Sequence, residues 1–176
     1  MRPRHPPIPR LWLMTDPRQG ESLWTALERL PCGAGVVFRH YQLAPAERRA
    51  LFRKIAKVAQ RRRLTLVAAG EERLGRGPLG IHNRRGGPQA FPRTAAAHSR
   101  REAITAIRSG VDAIFVSPVF ASRSHPGAKP LGRVRFGLLV RDLGAPVIAL
   151  GGMDARRARS LSPMAIHGWA AIDAWG

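Results

Sequence analysis

The chain is short of cysteine, lysine, acidic residues and aromatics, and each shortage narrows what it can do. Cys32 is the one cysteine among 176 residues. That excludes an internal disulfide and a metal site built on several thiolates, and it fits a reducing cytoplasm. Aromatic residues are 6% of the chain, too scattered to interleave with cations as a base-stacking platform does. No apolar run reaches the roughly 18–20 residues that span a bilayer. The first ten residues, MRPRHPPIPR, are basic and rich in proline, but no apolar targeting stretch follows them. They read as a ragged tail, not a signal peptide.

What the chain has is positive charge. Its 30 lysines and arginines, only three of them lysine, face 11 acidic residues, a net charge of +19. Such a charge attracts nucleic acid, membrane surfaces or phosphorylated metabolites. The arginines are spread along the chain instead of forming an arm. The longest block, Arg61–Arg63, falls at a helix end, where the helix dipole favours cations. Most of the charge therefore reads as solvated surface, with a few arginines left for a site. Hydrophobic residues are 44% of the chain, enough for one packed domain.

Apolar β-type runs alternate with helical patterns. Strands are expected at 11–15, 35–39, 64–69, 79–82, 94–97, 113–119, 146–150 and 167–172. Helices are expected at 22–30, 45–62, 99–110, 133–143 and 154–161. Pro45 suits a first helical turn, and Leu51, Ile55 and Val58 share a face. Ser99 with Glu102 reads as an N-cap and capping box, and Gly110 as a C-cap. Eight strands with intervening helices predict an α/β fold, a compact (β/α)8 TIM barrel over 11–176, after a tail at 1–10. GEERLGRGPL, between strands three and four, leaves that helix reduced or missing, and the last helix is missing. An open flavodoxin-like sheet is the alternative, but it leaves three strands unexplained.

Chemistry in such barrels sits at the C-terminal strand ends. Those ends carry Asp16; Arg39, His40 and Tyr41; Ala69 and Gly70; His82, Arg84 and Arg85; His98; the loop 121–129; Gly151 and Gly152; and Asp173. The LGGMD turn brings bare backbone amides to an anion, or is a plain tight turn. The loop with Ser122, Arg123, Ser124 and His125 brings hydroxyls and positive charge, or is an ordinary polar loop ending in Pro126–Gly127. Together they predict an anion held between the two.

LWLMTD from Leu11, GIH at 80–82, HSRREAITAIRSGVDAIFVSPVF at 98–120, SRSHPGAKPLG at 122–132 and PVIALGGMD at 146–154 resemble the thiamine phosphate synthase/TenI superfamily, in order and spacing, over nearly the whole chain. The resemblance implies a βα barrel and a role in thiamine biosynthesis. Synthases of that family couple a hydroxymethylpyrimidine pyrophosphate to a thiazole phosphate with Mg²⁺, releasing pyrophosphate. TenI-type members lack that chemistry, and some isomerise a thiazole carboxylate phosphate. By the same resemblance, Arg39 contacts pyrophosphate and pyrimidine, Ser122 and Ser124 supply the hydroxyls of the phosphate loop, and Gly151 and Gly152 receive the thiazole phosphate.

The sequence also departs from the family pattern. Tyr41 replaces a lysine, and AAGEE replaces an acidic segment after the third strand. Arg85 stands near an expected glutamine and Gly87 near an expected metal-binding aspartate. Ala96 replaces a serine, His125 the loop lysine and Pro118 the TenI tautomerase histidine. Asp173 replaces a small hydroxyl residue beside the phosphate.

The expected site is therefore Arg39 and His125 as catalytic residues, with Arg39, His82, Arg85, Ser122, Arg123, Ser124, Gly151 and Gly152 binding substrate and phosphate. No metal ligands are expected, and Mg²⁺ enters only if synthase activity is retained. Arg39 could instead only pack against a loop or pair with Asp16. The expected partner is a phosphorylated small molecule in the cytoplasm, with no membrane, nucleic acid disfavoured and a homodimer allowed. A non-catalytic binding or regulatory barrel, or an RNA-binding surface, are the alternatives.

Overall fold

Short apolar runs separated by helical segments pair in parallel, because each helix returns the chain to the same end of the sheet. A computed structural model of the chain describes residues 6–72, 74–75, 80–84, 90–123 and 127–175. Its strands are β1 (Leu11–Met14), β2 (Gly35–Phe38), β3 (Thr65–Ala69), β4 (Gly80–His82), β5 (Arg93–Ala97), β6 (Ala113–Val116), β7 (Val147–Ala149) and β8 (Gly168–Ala171). Each pairs with the next, and β8 pairs back with β1, so the sheet closes as the predicted eight-stranded barrel. The helices are α1 (Ser22–Arg29), α2 (Pro45–Arg61), α3 (Arg100–Arg108), α4 (Gly132–Val140) and α5 (Ala155–Ser160).

Trp12, Met14, Val37, Val67, Phe115 and Ile148 belong to the cluster that fills the barrel. Trp12 fits because β2 opens on a glycine: a Cβ on Gly35 would lie 2.1 Å from the indole. Its ring meets Phe115 edge-on at 5.2 Å, and its N–H donates to Pro9 O at 2.7 Å. Outside, Leu13, Leu27, Phe38 and Ile55 pack under α1 and α2. Ile114, Phe136, Ala149 and Leu161 pack under α3, α4 and α5.

Several boundaries differ from expectation. Part of the tail is docked, not ragged: Trp169 donates its N–H to Arg10 O at 2.8 Å, and His167 Nε2 bonds Ile8 O at 2.9 Å. β6 stops at Val116 because Pro118 has no N–H for a ladder. The C-cap of α3 is Ser109, and Gly110 follows it at φ 79°. α2 buries Arg48, Phe52, Ile55 and Ala59, a stripe rotated from the expected one. Among the described residues no helix joins β3 to β4, as expected. None joins β4 to β5 either, where no helix was expected. No described helix is long and apolar enough to cross a membrane.

Candidate functional site

Side chains alternate in and out of a barrel strand. Val37 faces the interior and Phe38 the helices, so Arg39 turns inward over the mouth and His40 turns out. His40 accordingly stacks on Phe38 at 5.2 Å. Arg39 is half-buried. Its charge is felt by Asp16 at the end of β1 and by His82 at the end of β4. Thr15 Oγ1 accepts the Arg39 N–H at 3.0 Å, and Arg48 holds the Arg39 carbonyl at 3.1 Å. Among the described residues Arg39 is in no ion pair.

Asp16 pairs with Arg18 at 2.8 Å instead. Burial would raise its carboxyl, but hydrogen bonds from the Arg18 side chain and backbone, and the charges of Arg18 and Arg39, hold it below the usual carboxylate value. His82 forms a wall of the mouth. Burial, helped by the charge of Arg39, pushes its pKa down to about 3. Its Nδ1 stands 2.9 Å from Thr94 Oγ1, and its ring lies edge-on to Phe115 at 5.1 Å. A neutral imidazole gives a phosphate no positive charge, so the role expected of His82 is reduced to that of a neutral hydrogen-bonding wall.

On the opposite side, Ser122, Arg123, Gly151 and Gly152 line one cleft of about 270 Å³ with Asp154, Arg157 and Asp173. Both glycines have positive φ, 95° and 59°, and the turn presses against the loop after β6. A Cβ on Gly152 would lie 2.3 Å from Ala121 O. The turn thus brings backbone to the cleft where any side chain would collide. Asp154 caps α5, accepting the Arg157 N–H at 2.7 Å. Arg157 donates to Gly152 O and lies over the Phe120 ring at 5.3 Å. Arg123 pairs with Asp173 at 3.1 Å. With its side chain 81% exposed, that pair contributes little and is easily exchanged for another anion.

The mouth therefore has two sectors. One holds Arg39 and His82, the other Ser122, Arg123, Gly151 and Gly152. Arg85, Ser124 and His125 lie outside the described residues. The sequence reading missed Arg18, Arg48 and Arg157. Arg48 had a signal: it stands on the apolar stripe of α2, where a cation is buried only if paired.

Residues 94–175 match the family model described as thiamine monophosphate synthase. This part of the chain is similar to that family. The thiamine-phosphate synthase of Chloroflexus aurantiacus is 30% identical over 80 residues, 45% of this chain and 37% of that protein. The chain spans less than half the length of the curated relatives it matches. A thiamine phosphate pyrophosphorylase from Pyrococcus furiosus has a similar fold, with TM-score 0.69 and 19% identity over 93% of this chain and 85% of that one. One from Bacteroides thetaiotaomicron gives TM-score 0.57 at 18% identity, over 93% and 82% of the two chains. Before residue 94 the likeness is one of fold.

The thiamine phosphate synthase/TenI resemblance implies Mg²⁺, which needs several oxygen ligands. Among the described residues no three His, Cys, Asp or Glu side chains stand together to hold a metal. Glu72, after β3, is taken by Arg48 at 3.0 Å and Arg49 at 2.7 Å, and Glu71 faces Arg84 at 3.5 Å. The described residues do not fit the ion.

Proposed function

We propose that the protein is a thiamine phosphate synthase/TenI-like barrel that binds a thiazole- or pyrimidine-phosphate at its mouth. The observation that carries this reading is Arg39: inward, half-buried and in no ion pair among the described residues. A guanidinium partly removed from water and in no direct ion pair favours an anion and presents two parallel donors to it. The second cleft supports the same ligand class, because its backbone turn and exposed arginines suit a phosphate's oxygens.

In the synthase reaction, pyrophosphate departs from the pyrimidine methylene with the bonding electron pair and leaves a carbocation-like carbon. The thiazole nitrogen then attacks that carbon. The barrier falls as the leaving anion is stabilised, and one preorganised donor contributes about 3–4 kcal/mol. Arg39 is the group placed to do this. A second reading is a barrel that holds the phosphometabolite without turning it over. The pairing of Asp16 with Arg18 and of Glu72 with Arg48 and Arg49 favours it, since an arginine partner lowers a carboxylate's basicity. Either reading expects a cytoplasmic protein, and the exposed Cys32 is compatible with that.

The test is Arg39→Met against wild type, measured for phosphate-ligand affinity, pyrimidine–thiazole coupling and melting temperature. The expected outcome is lost affinity, and lost coupling if wild type has it, with melting unchanged. Lowered melting with affinity intact would make Arg39 structural. Wild type that binds but does not couple would leave the second reading.

A further inference from the structure

We infer that the Arg39 side of the mouth takes a pyrophosphate-type anion without a divalent cation, the protein itself supplying the counter-charge. This rests on the phosphate-binding reading above and adds what neutralises the ligand.

Among the described residues, five guanidinium groups at or beside the ends of β1 to β4 (Arg18, Arg39, Arg48, Arg49 and Arg84) meet three carboxylates (Asp16, Glu71 and Glu72), and each of the three is already in an ion pair. A divalent cation placed here would compete with the arginine already paired to each carboxylate, at both oxygens of Glu72, and would sit in a positive surround. A phosphate anion meets neither obstacle. Arg48 is the fixed part of this charge. It is 4% exposed. Nη1 bonds Glu72 at 3.0 Å, and Nη2 bonds the carbonyls of Ala69 at 2.7 Å and Arg39 at 3.1 Å. Its guanidinium also lies 5.4 Å from the Phe38 ring centre and 5.6 Å from that of Tyr41. These contacts hold the cation at the C-terminal ends of β2 and β3. Because Arg48 holds the Arg39 carbonyl, the one of these five cations in no ion pair among the described residues is rooted beside a fixed one. A metal in such a site neutralises phosphate oxygens and fixes their orientation. Here guanidinium groups do both, Arg39 as the binding group and Arg48 as the fixed charge behind it.

The experiment is calorimetric titration of the full chain with inorganic pyrophosphate, once in chelator and once in Mg²⁺, corrected for the Mg²⁺–pyrophosphate complex formed in solution. Orthophosphate is titrated in parallel. The expected result is the same pyrophosphate affinity in both buffers. Arg39→Met weakens it by about tenfold to a hundredfold, the loss of charge-assisted hydrogen bonds, and Arg39→Lys restores part of it. Glu72→Gln removes a carboxylate and no cation, so it leaves the affinity unchanged or raises it, an effect that loss of fold would not produce. Affinity that needs Mg²⁺ and disappears in Glu72→Gln would make Glu72 a metal ligand and overturn the inference, while the phosphate-binding reading stands. Orthophosphate binding without pyrophosphate binding would overturn the inference alone. Binding of neither anion would overturn the reading and the inference together.

Discussion

Asp173 stands where a small hydroxyl residue is expected beside the phosphate, and its carboxylate is held by Arg123 at 3.1 Å. It is a carboxylate built into the cleft proposed for a phosphate. Asp173→Asn should free Arg123 and tighten orthophosphate binding by about two- to fivefold, the scale of an exposed pair. Calorimetry showing weaker binding in the variant would mean the carboxylate helps shape the cleft instead of competing for it. Gly152 belongs to the same scale. At φ 59°, with Ala121 O in the place of a Cβ, Gly152→Ala should cost about 1–3 kcal/mol by forcing backbone apart. A urea unfolding midpoint equal to wild type would contradict that.

Three elements shape the Arg39 side of the mouth and the interior beneath it. α2 presents an arginine on its buried stripe, and the helical period therefore places a cation under the β2 and β3 ends instead of in solvent. β1 and β2 carry the barrel interior, where Trp12 occupies the space that Gly35 leaves. Gly35→Ala should destabilise the protein by about 1–3 kcal/mol or more through overpacking. Trp12→Leu added to it should return part of the loss, because the same space is in question. Chemical denaturation of the two single variants and the pair measures this coupling, and strictly additive losses would place the two residues in separate environments.

At the scale of the whole molecule, charge and protonation decide stability. A net +19 repels itself, and salt screens repulsion as well as ion pairs. Since the described ion pairs are mostly exposed and weak, repulsion should win, and the melting temperature should rise as NaCl is added toward about 0.15 M. A fall would mean the ion pairs matter more. Acid acts in one direction. His82 is pushed to about 3 in the folded protein and titrates near 6.5 when unfolded. The unfolded chain then binds more protons between those values, so stability present above pH 6.5 is lost as the pH falls toward 3. His40 is shifted the same way by burial. The urea midpoint should therefore be lower at pH 5 than at pH 7, and His82→Gln should flatten the difference. An equal slope in the variant would assign the acid sensitivity elsewhere.

The sequence by itself determined the strand count, the closed barrel and the cationic rim, because alternation, caps and turn glycines are local and each β-type run had to be buried somewhere. It also placed Arg39 at a strand end, where the period of two turns it over the opening. It did not show that Arg48 would be the fixed cation, that Glu71 and Glu72 would be captured by arginines, or that His82 would be neutral. Those partners lie on different strands and helices, up to 24 residues apart for Arg48 and Glu72. Only closure of the barrel removes the water that would otherwise solvate each of them alone. Charge pairing and burial are properties of the assembled mouth, so they were decided by the tertiary structure.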